Sequence, residues 1–147
     1  MSSKTKINML EVKVKKLASN ANLPHQAHKG DAGFDLTAVS IVHDKANHCT
    51  IYNTGLAFSI PKGYAMFVFP RSSSYKNNAL MANSVGVIDS GYRGPVHVIF
   101  RGNSVRYNVG ERIAQAVILP VPEVTYTEVD ELEDTDRGTG GLGSTGK

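Results

Sequence analysis

Hydrophobic and polar residues alternate along most of the chain with the period of β-strands. In Leu10–Leu17, Val12 and Val14 alternate with Lys13 and Lys15, so one face of the segment is apolar and the other is charged. Short runs rich in β-branched and aromatic residues predict further strands at Cys49–Tyr52, Leu56–Ile60, Tyr64–Phe69, Val85–Ile88, Val96–Phe100, Val105–Tyr107, Ile113–Val121 and Val124–Val129. Turn-forming residues separate nearly all of these runs, which is typical of a sandwich or jelly roll. The pattern predicts an all-β domain.

Helical spacing is nearly absent. The one segment that we expect to form a short helix is Ser74–Met81, where Ser73 or Ser74 is placed to cap the first turn.

The last part of the chain differs in composition from the rest. Residues 123–136 hold seven acidic residues and no basic one, and no apolar residue lies between Leu132 and Leu142. A segment of this kind cannot pack strongly by itself. We therefore expect a β domain of residues 1–133 and a flexible C-terminal arm of residues 134–147.

Composition narrows the setting of the protein. With 147 residues and 41% hydrophobic content, one domain is expected. No apolar run is long enough for a membrane span, and Met1–Asn8 lacks the apolar core of a signal peptide, so we expect a cytosolic protein with no membrane partner. The single Cys49 supports neither an internal disulfide nor a structural zinc site. The basic body of residues 1–122 suits either nucleic acid or a polyanionic small molecule.

The arm carries the first candidate chemistry. Residues 135–146 place Arg137 beside five glycines, and Ser144 and Thr145 add hydroxyl groups. Glycine lets successive backbone N–H groups turn toward one anion, and arginine pairs bidentately with phosphate. The alternative is an ordinary mobile terminus.

A second anion site is predicted at Pro70–Ser74. Arg71 and its serines follow the apolar strand Tyr64–Phe69, so a guanidinium, hydroxyls and exposed N–H groups converge where the strand ends. A serine cap beside a surface arginine explains the same residues equally well.

Residues 85–94 place a single acid, Asp89, between an apolar strand and a tight turn that bears Tyr92 and Arg93. A carboxylate there can hold a nucleophilic water, and Tyr92 offers a flat face for a sugar or base. Alternatively, Asp89 only caps the turn of a hairpin.

Two polar residues interrupt apolar surroundings. Gln115 lies within the long apolar run and needs a partner, either a ligand phosphate or a backbone group. Asp35 lies between two apolar residues and must be satisfied by protein groups or by the water shell of a cation. His25 and His28 are spaced like metal ligands on a helix, but the flanking proline and glycine argue against a helix there, so we assign no transition metal.

Taken together, these segments resemble the five ordered motifs of the trimeric deoxyuridine triphosphate nucleotidohydrolases, the dUTPases. The matching segments are Ala32–Leu36, Pro70–Ser74, Gly86–Gly94, Gly110–Gln115 and Arg137–Gly146. The resemblance implies a jelly-roll homotrimer with three sites between subunits, each closed by the arm of a third subunit. It implies hydrolysis of dUTP to dUMP and pyrophosphate, which limits uracil in DNA and supplies dUMP for dTMP synthesis.

The resemblance also implies roles for individual residues. Asp89 matches the catalytic residue that activates water for in-line attack on the α-phosphorus. Mg²⁺ is expected on the three phosphates and water, with Asp35 as an outer-shell partner. The matching substrate-binding positions are Arg71, Ser72, Ser73, Asn83, Gly86, Ile88, Tyr92, Gln115, Arg137, Leu142, Gly143, Ser144 and Thr145.

One residue departs from the family pattern. The fifth motif normally carries an aromatic residue that stacks on uracil, whereas this chain has Leu142. Leucine covers a base without stacking, so we expect weaker closure of the arm and intact chemistry.

Three other functions are alternatives to the hypothesis of a dUTPase. Deoxycytidine triphosphate deaminase shares the fold but relies on a glutamate near its base-binding hairpin, and no glutamate lies between Val12 and Arg106. A nucleotide-controlled interaction protein with a regulatory protein partner is compatible with the same pocket. Stable nucleic-acid binding is disfavoured because clustered bases with interleaved aromatics are absent from the sequence.

Overall fold

The computed structural model describes residues 9–146, and antiparallel strands dominate this part of the chain. The strands are β1 (Lys13–Lys16), β2 (Phe34–Thr37), β3 (Ser40–Asp44), β4 (Cys49–Asn53), β5 (Leu56–Ser59), β6 (Tyr64–Phe69), β7 (Gly86–Ile88), β8 (His97–Arg101) and β9 (Arg112–Pro120). A short 3₁₀ helix, Ser74–Asn77, follows β6.

The strands form three antiparallel sheets. The largest has the order β2-β9-β6-β7, a second has the order β3-β4-β8, and β1 pairs with β5 in a two-stranded ribbon. Strands distant in sequence become neighbours, as when β9 inserts between β2 and β6. This all-β arrangement confirms the predicted jelly-roll fold class.

A single apolar core joins the sheets. Leu36, Met66 and Ala114 from the largest sheet belong to the same buried cluster as Tyr52 and Phe100 from the second. Inward-facing residues alternate with exposed ones along β8, as expected for a strand with one wet face. The core therefore fixes the strand ends from which the candidate site residues project.

Most of the predicted strands are present, with ends that differ by a few residues. Two predicted strands are wrong. Residues 105–107 form an irregular segment that buries Tyr107, with the Arg106 amide bonded to the Asn77 carbonyl. Residues 124–129 form no strand, and Tyr126 is 97% exposed. A strand needs a partner for its backbone groups, and this segment pairs with none within residues 9–146.

Two strands were missed, β2 and β3. In β2, Phe34 and Leu36 alternate with Asp35 and Thr37, but over only four residues, and in β3 the adjacent Ile41 and Val42 interrupt the alternation.

The predicted short helix is also only partly correct. It ends at Asn77 rather than at Met81, and it is a 3₁₀ helix. Of the two serines proposed as the cap, Ser73 occupies the cap position. Its side chain makes no capping hydrogen bond. The helix ends because Asn78 adopts a left-handed conformation, with φ of 51°.

Within residues 9–146, no helix has the length and apolarity needed to cross a membrane. The prediction about a signal peptide concerns Met1–Asn8, which lies outside the described residues, and Lys147 lies outside them as well. The domain boundary at residues 133 and 134 stays a prediction.

An aromatic cluster lies where the irregular segment 105–107 meets the core. Tyr107 packs against Tyr52 and Phe100, with ring centroids 6.2 and 5.8 Å away. The Tyr52 hydroxyl donates to the Tyr107 carbonyl oxygen over 2.9 Å, and burial raises the pKa of Tyr52, which keeps this donor protonated. The Tyr107 hydroxyl is buried and has no hydrogen-bond partner among the described residues.

This contrast predicts opposite effects for two matched substitutions. Tyr107→Phe removes an unsatisfied buried hydroxyl and is expected to raise the free energy of unfolding by about 1 kcal/mol, whereas Tyr52→Phe removes a bonded one and is expected to lower it by about 1 kcal/mol. Urea denaturation at one fixed protein concentration measures both effects. A loss of stability in Tyr107→Phe as large as in Tyr52→Phe would show that the Tyr107 hydroxyl has a partner.

Candidate active site

A carboxylate held between two guanidinium groups forms the centre of the candidate site. Asp35 on β2 is 14% exposed, and its two oxygens accept hydrogen bonds from Arg71 Nε at 3.0 Å and Arg112 Nη1 at 3.2 Å. Arg71 follows β6 and Arg112 begins β9, so the ion pairs join three segments that neighbour one another in the largest sheet. The two guanidiniums balance Asp35 and the Asp31 carboxylate that lines the same cleft, and Arg71 keeps N–H groups that can bind an anionic ligand.

Gln115 lies beside this cluster on β9, directly opposite Asp35 in the β2–β9 pair. Its Nε2 donates to the Pro70 carbonyl oxygen over 3.1 Å, so the predicted partner is a backbone group, and a ligand can still use the Oε1. A Cβ added to Gly33 would collide with that Oε1. Glycine at position 33 therefore permits the amide to lie against the β2 backbone.

These groups surround one open cleft. Asp35, Arg71, Ser72 and Gln115 line it together with Asp31 and residues 27, 32 and 33, and its volume is about 340 Å³. Four residues that the sequence assigned to phosphate or cation binding are thus brought together.

Ser73 faces a neighbouring cleft that also borders Arg71. Its Oγ lies 3.5 Å from Arg71 Nη1, at the long end of hydrogen-bond distances. Ser73 therefore contacts the Arg71 guanidinium but does not itself line the Asp35 cleft.

The loop before β7 brings Asn83 against Gly86. Ser84 has φ of 62°, and the Val85 amide donates to the Asn83 carbonyl oxygen, so the chain turns sharply there. A Cβ at Gly86 would lie 3.8 Å from Asn83 Nδ2 and 3.2 Å from the Val68 Cβ. A side chain at position 86 would crowd Val68 and would lie in ordinary contact with Asn83.

In the described part of the chain, β7 pairs only with β6, which makes it the edge strand of the largest sheet. An edge strand leaves part of its backbone N–H and C=O groups unpaired. Backbone groups near Gly86 and Ile88 are consequently available to the polar edge of a planar ring.

Asp89 and Tyr92 form the ends of a tight turn after β7. The Tyr92 amide donates to the Asp89 carbonyl oxygen over 3.1 Å, and the Tyr92 hydroxyl donates to the Pro95 carbonyl oxygen over 2.9 Å. The ring lies over Gly94, where a Cβ would touch the Tyr92 hydroxyl. The Asp89 side chain is exposed and bonds to no side chain within residues 9–146, so its oxygens are free for a ligand or water.

Strand register places Asp89 far from the cleft within one chain. Ile88 is opposite Met66, whereas Asp35 and Gln115 lie in the row of Phe69. Along the strand direction, the row of Ile88 is three residues from the row of Asp35, and Asp89 is one residue further away. Across the sheet, three strand spacings separate β7 from β2. Together these offsets place Asp89 roughly 20 Å from Asp35. No single hydrogen-bonded site can include both Asp89 and Arg71 of the same chain.

The C-terminal arm is exposed and bonds locally. Arg137 Nε donates to the Gly140 carbonyl oxygen over 2.9 Å, and the Ser144 amide donates to the Gly141 carbonyl oxygen over 3.0 Å. Leu142 is fully exposed with φ of 49°, and Gly143 has φ of 80°. Arg137, Leu142, Gly143, Ser144 and Thr145 are therefore not brought to the Asp35 cleft in this chain.

The described chain groups at most two metal-ligating side chains in one place, as Asp31 and Asp35 in the cleft. Within residues 9–146, no group of three or more His, Cys, Asp or Glu side chains is arranged to hold a metal ion. Both Asp35 oxygens already accept guanidinium N–H groups, although a carboxylate has further acceptor positions. This donor set fits a cation that arrives with a polyphosphate and contacts Asp35 through water, and it does not fit a cation held by protein ligands alone.

Arg112 and Gly33 lie at the site but were not predicted from the sequence. Arg112 lies within the fourth motif, but its partner Asp35 is 77 positions away and only the β2–β9 pairing reveals the contact. In the sequence, Gly33 is only a small residue directly before β2. Its role becomes evident when the structure places Gln115 beside it.

Comparison with known proteins finds one family along most of this chain. The dUTPase family model matches residues 19–146. A deoxyuridine 5′-triphosphate nucleotidohydrolase of Nautilia profundicola is 43% identical over 142 residues, which cover 94% of this chain and 100% of the relative. A relative of the same name from Thermobifida fusca is 41% identical and covers 93% of this chain and 79% of its own length.

Solved structures show the same likeness. The dUTPase of Staphylococcus bacteriophage 80alpha, solved with dUpNHpp, superposes with a TM-score of 0.80 at 28% identity over 93% of this chain and 99% of its own. A mutant dUTPase of phage phi11 of S. aureus, described with a structural Mg(II) ion, gives 0.71 at 25% identity over 84% and 99%. The match spans the β domain and the arm together, and the chain belongs to the dUTPase family.

Proposed function

We propose that this protein hydrolyses dUTP to dUMP and pyrophosphate. The observation that carries the proposal is the cleft formed by Asp35, Arg71, Ser72 and Gln115, which offers a guanidinium, a hydroxyl and an amide to a chain of phosphates. Membership of the dUTPase family and the names of the relatives support the same activity. The cytosolic setting stays a prediction from the sequence.

Phosphate binding is assigned to the cleft and the arm. Arg71 is fixed by Asp35 through its Nε, which leaves N–H groups of its guanidinium for phosphate oxygens. Ser72 and Gln115 add neutral polar groups beside it. In the arm, Arg137, Ser144 and Thr145 supply a second set of donors, and the glycines allow close approach of the backbone.

Base and sugar selection is assigned to the segment from Asn83 to Tyr92. The unpaired edge of β7 and the Asn83 side chain suit the donor and acceptor pattern of uracil. The Tyr92 ring, held by its bond to the Pro95 carbonyl, presents a flat face to the deoxyribose and leaves no room for a 2′-hydroxyl. Both selections act on one nucleotide at the same time.

Asp89 is assigned the activation of water. Its free carboxylate accepts a hydrogen bond from the water and orients it for in-line attack on the α-phosphorus, so that pyrophosphate leaves on the opposite side. A Mg²⁺ ion that enters with the triphosphate, with Asp35 as a partner through water, would neutralise phosphate charge. The protein groups then mainly position the substrate and stabilise charge.

We infer that the working site combines several copies of the chain. The roughly 20 Å between Asp89 and the Arg71 cleft in one copy exceeds the reach of an attacking water. Asp89 and Tyr92 of one copy must therefore face the cleft of another, and the exposed arm is available to close the site of a third. A homotrimer, as the resemblance implies, satisfies this requirement.

The first experiment is pyrophosphate release with Mg²⁺ from dUTP, compared with dTTP, dCTP and UTP under identical conditions. We expect rapid release from dUTP alone, because the base and the sugar are both selected. Ammonia release from dCTP would indicate a deaminase instead. Binding of dUTP without release from any substrate would indicate a nucleotide-controlled interaction protein with a regulatory partner.

A mixing experiment tests the shared site. Asp89→Asn and Arg71→Ala are each expected to abolish turnover, and Asp89→Asn is expected to keep nucleotide binding. If the two residues come from different subunits, co-refolding equal amounts of both variants restores about one quarter of the wild-type sites.

The control for this experiment is co-refolding each inactive variant with itself. A mixture that stays as inactive as its components, although light scattering shows that mixed oligomers form, would place Asp89 and Arg71 in the same subunit. A monomer by light scattering would contradict the shared site directly.

Leu142→Phe tests the arm. Because an aromatic residue stacks on uracil, we expect a KM for dUTP that is lower by about fivefold or more, as stacking worth about 1 kcal/mol would give, with little change in kcat. Leu132→Phe, at another exposed position before the glycine segment, is the matched control. An unchanged KM together with unchanged ordering of the arm on nucleotide binding would remove Leu142 from the site.

A further inference from the structure

Arg93 makes an unusual set of contacts next to the Asp89–Tyr92 turn. Its Nη1 donates to the carbonyl oxygens of Ser90 at 2.6 Å and Tyr92 at 3.1 Å, and it lies 3.4 Å from the carbonyl oxygen of Phe58. A single nitrogen, Arg93 Nη1, is therefore within hydrogen-bond distance of three backbone carbonyl oxygens. Bonds from a charged donor are stronger than bonds between neutral groups.

The three acceptors belong to two different parts of the fold. Ser90 and Tyr92 are in the turn itself, whereas Phe58 is buried on β5, which pairs with β1. The Arg93 guanidinium consequently ties an exposed turn to a strand of the core. The turn has few other ties, namely the bond from the Tyr92 amide to the Asp89 carbonyl and the bond from the Tyr92 hydroxyl to Pro95.

The charge of Arg93 is not used in an ion pair. Both ion pairs within residues 9–146 involve Asp35. Arg93 instead shares a cleft with Lys13 and Lys15, whose charges have the same sign. Within residues 9–146, the hydrogen bonds of the Arg93 side chain therefore all run from Nη1 to backbone carbonyl oxygens.

We propose that Arg93 is a positioning residue that fixes Asp89 and Tyr92 through the backbone of their turn. This inference rests on the proposed function, because Asp89 orients the attacking water and Tyr92 selects the sugar. If the turn is released, the carboxylate and the ring lose their fixed positions together. Water attack then slows and a ribonucleotide is rejected less strongly.

The test compares three variants of the full-length protein. Arg93→Met keeps a long side chain and removes every donor, whereas Arg93→Lys offers three N–H groups to the same three carbonyls. Arg106→Met is the matched control, because Arg106 is exposed and its side chain makes no hydrogen bond within residues 9–146. For each protein, kcat and KM are measured with dUTP and UTP, and hydrogen exchange of the turn is measured without nucleotide.

For Arg93→Met we expect exchange at the Tyr92 amide to be faster by about tenfold and kcat for dUTP to fall by about tenfold or more. We also expect a smaller ratio of kcat/KM for dUTP to that for UTP. Arg93→Lys is expected to lie close to the wild type in all three measurements, and Arg106→Met to match it.

A dUTP to UTP ratio in Arg93→Met equal to that of the wild type would overturn the proposal, even if the variant is less stable, because a purely structural loss affects both substrates alike. Failure of the wild-type protein to hydrolyse dUTP would instead refute the proposed function. In that case, unchanged exchange at Tyr92 in Arg93→Met would still show separately that Arg93 does not hold the turn.

Discussion

The ion pairs of Asp35 are the interaction on which the candidate site depends. A carboxylate that is 14% exposed must be compensated, and two guanidiniums from separate segments do so. The same contacts fix Arg71 at the mouth of the cleft and tie the loop after β6 to the start of β9. The contacts that compensate the Asp35 charge are thus the same contacts that hold Arg71 for the proposed phosphate binding.

Paired strands hold the cleft and the Asp89 turn, whereas the described residues of the C-terminal arm make only local hydrogen bonds. Strand pairing fixes the cleft on one side of the largest sheet and the Asp89 turn on the other, and this rigidity keeps the two halves of the site apart in a single copy. The arm makes only local turns in the described chain. The proposed assembly of several copies would bring the Asp89 turn of one copy to the cleft of another.

The sequence predicted the fold class and most strands because their inward-facing residues alternate with polar ones, as in β8. It failed for residues 124–129, which pair with no other strand in the described chain, and for β2, whose alternation spans only four residues. Pairing partners are set by three-dimensional packing. The sequence could therefore suggest Asp35 and Gln115 as polar residues that need partners, but it could not identify Arg112, Gly33 or Pro70 as those partners.

The close approach of Gly33 to Gln115 has a consequence for how this chain tolerates change. Any side chain at position 33 would displace the amide that binds Pro70 and faces the cleft, and a shorter residue at position 115, asparagine included, would make room only by drawing its polar group away from Pro70. The two positions are far apart in sequence, yet they act as one unit under substitution. Their effects on function are therefore expected to be epistatic, so that neither site can be redesigned independently of the other.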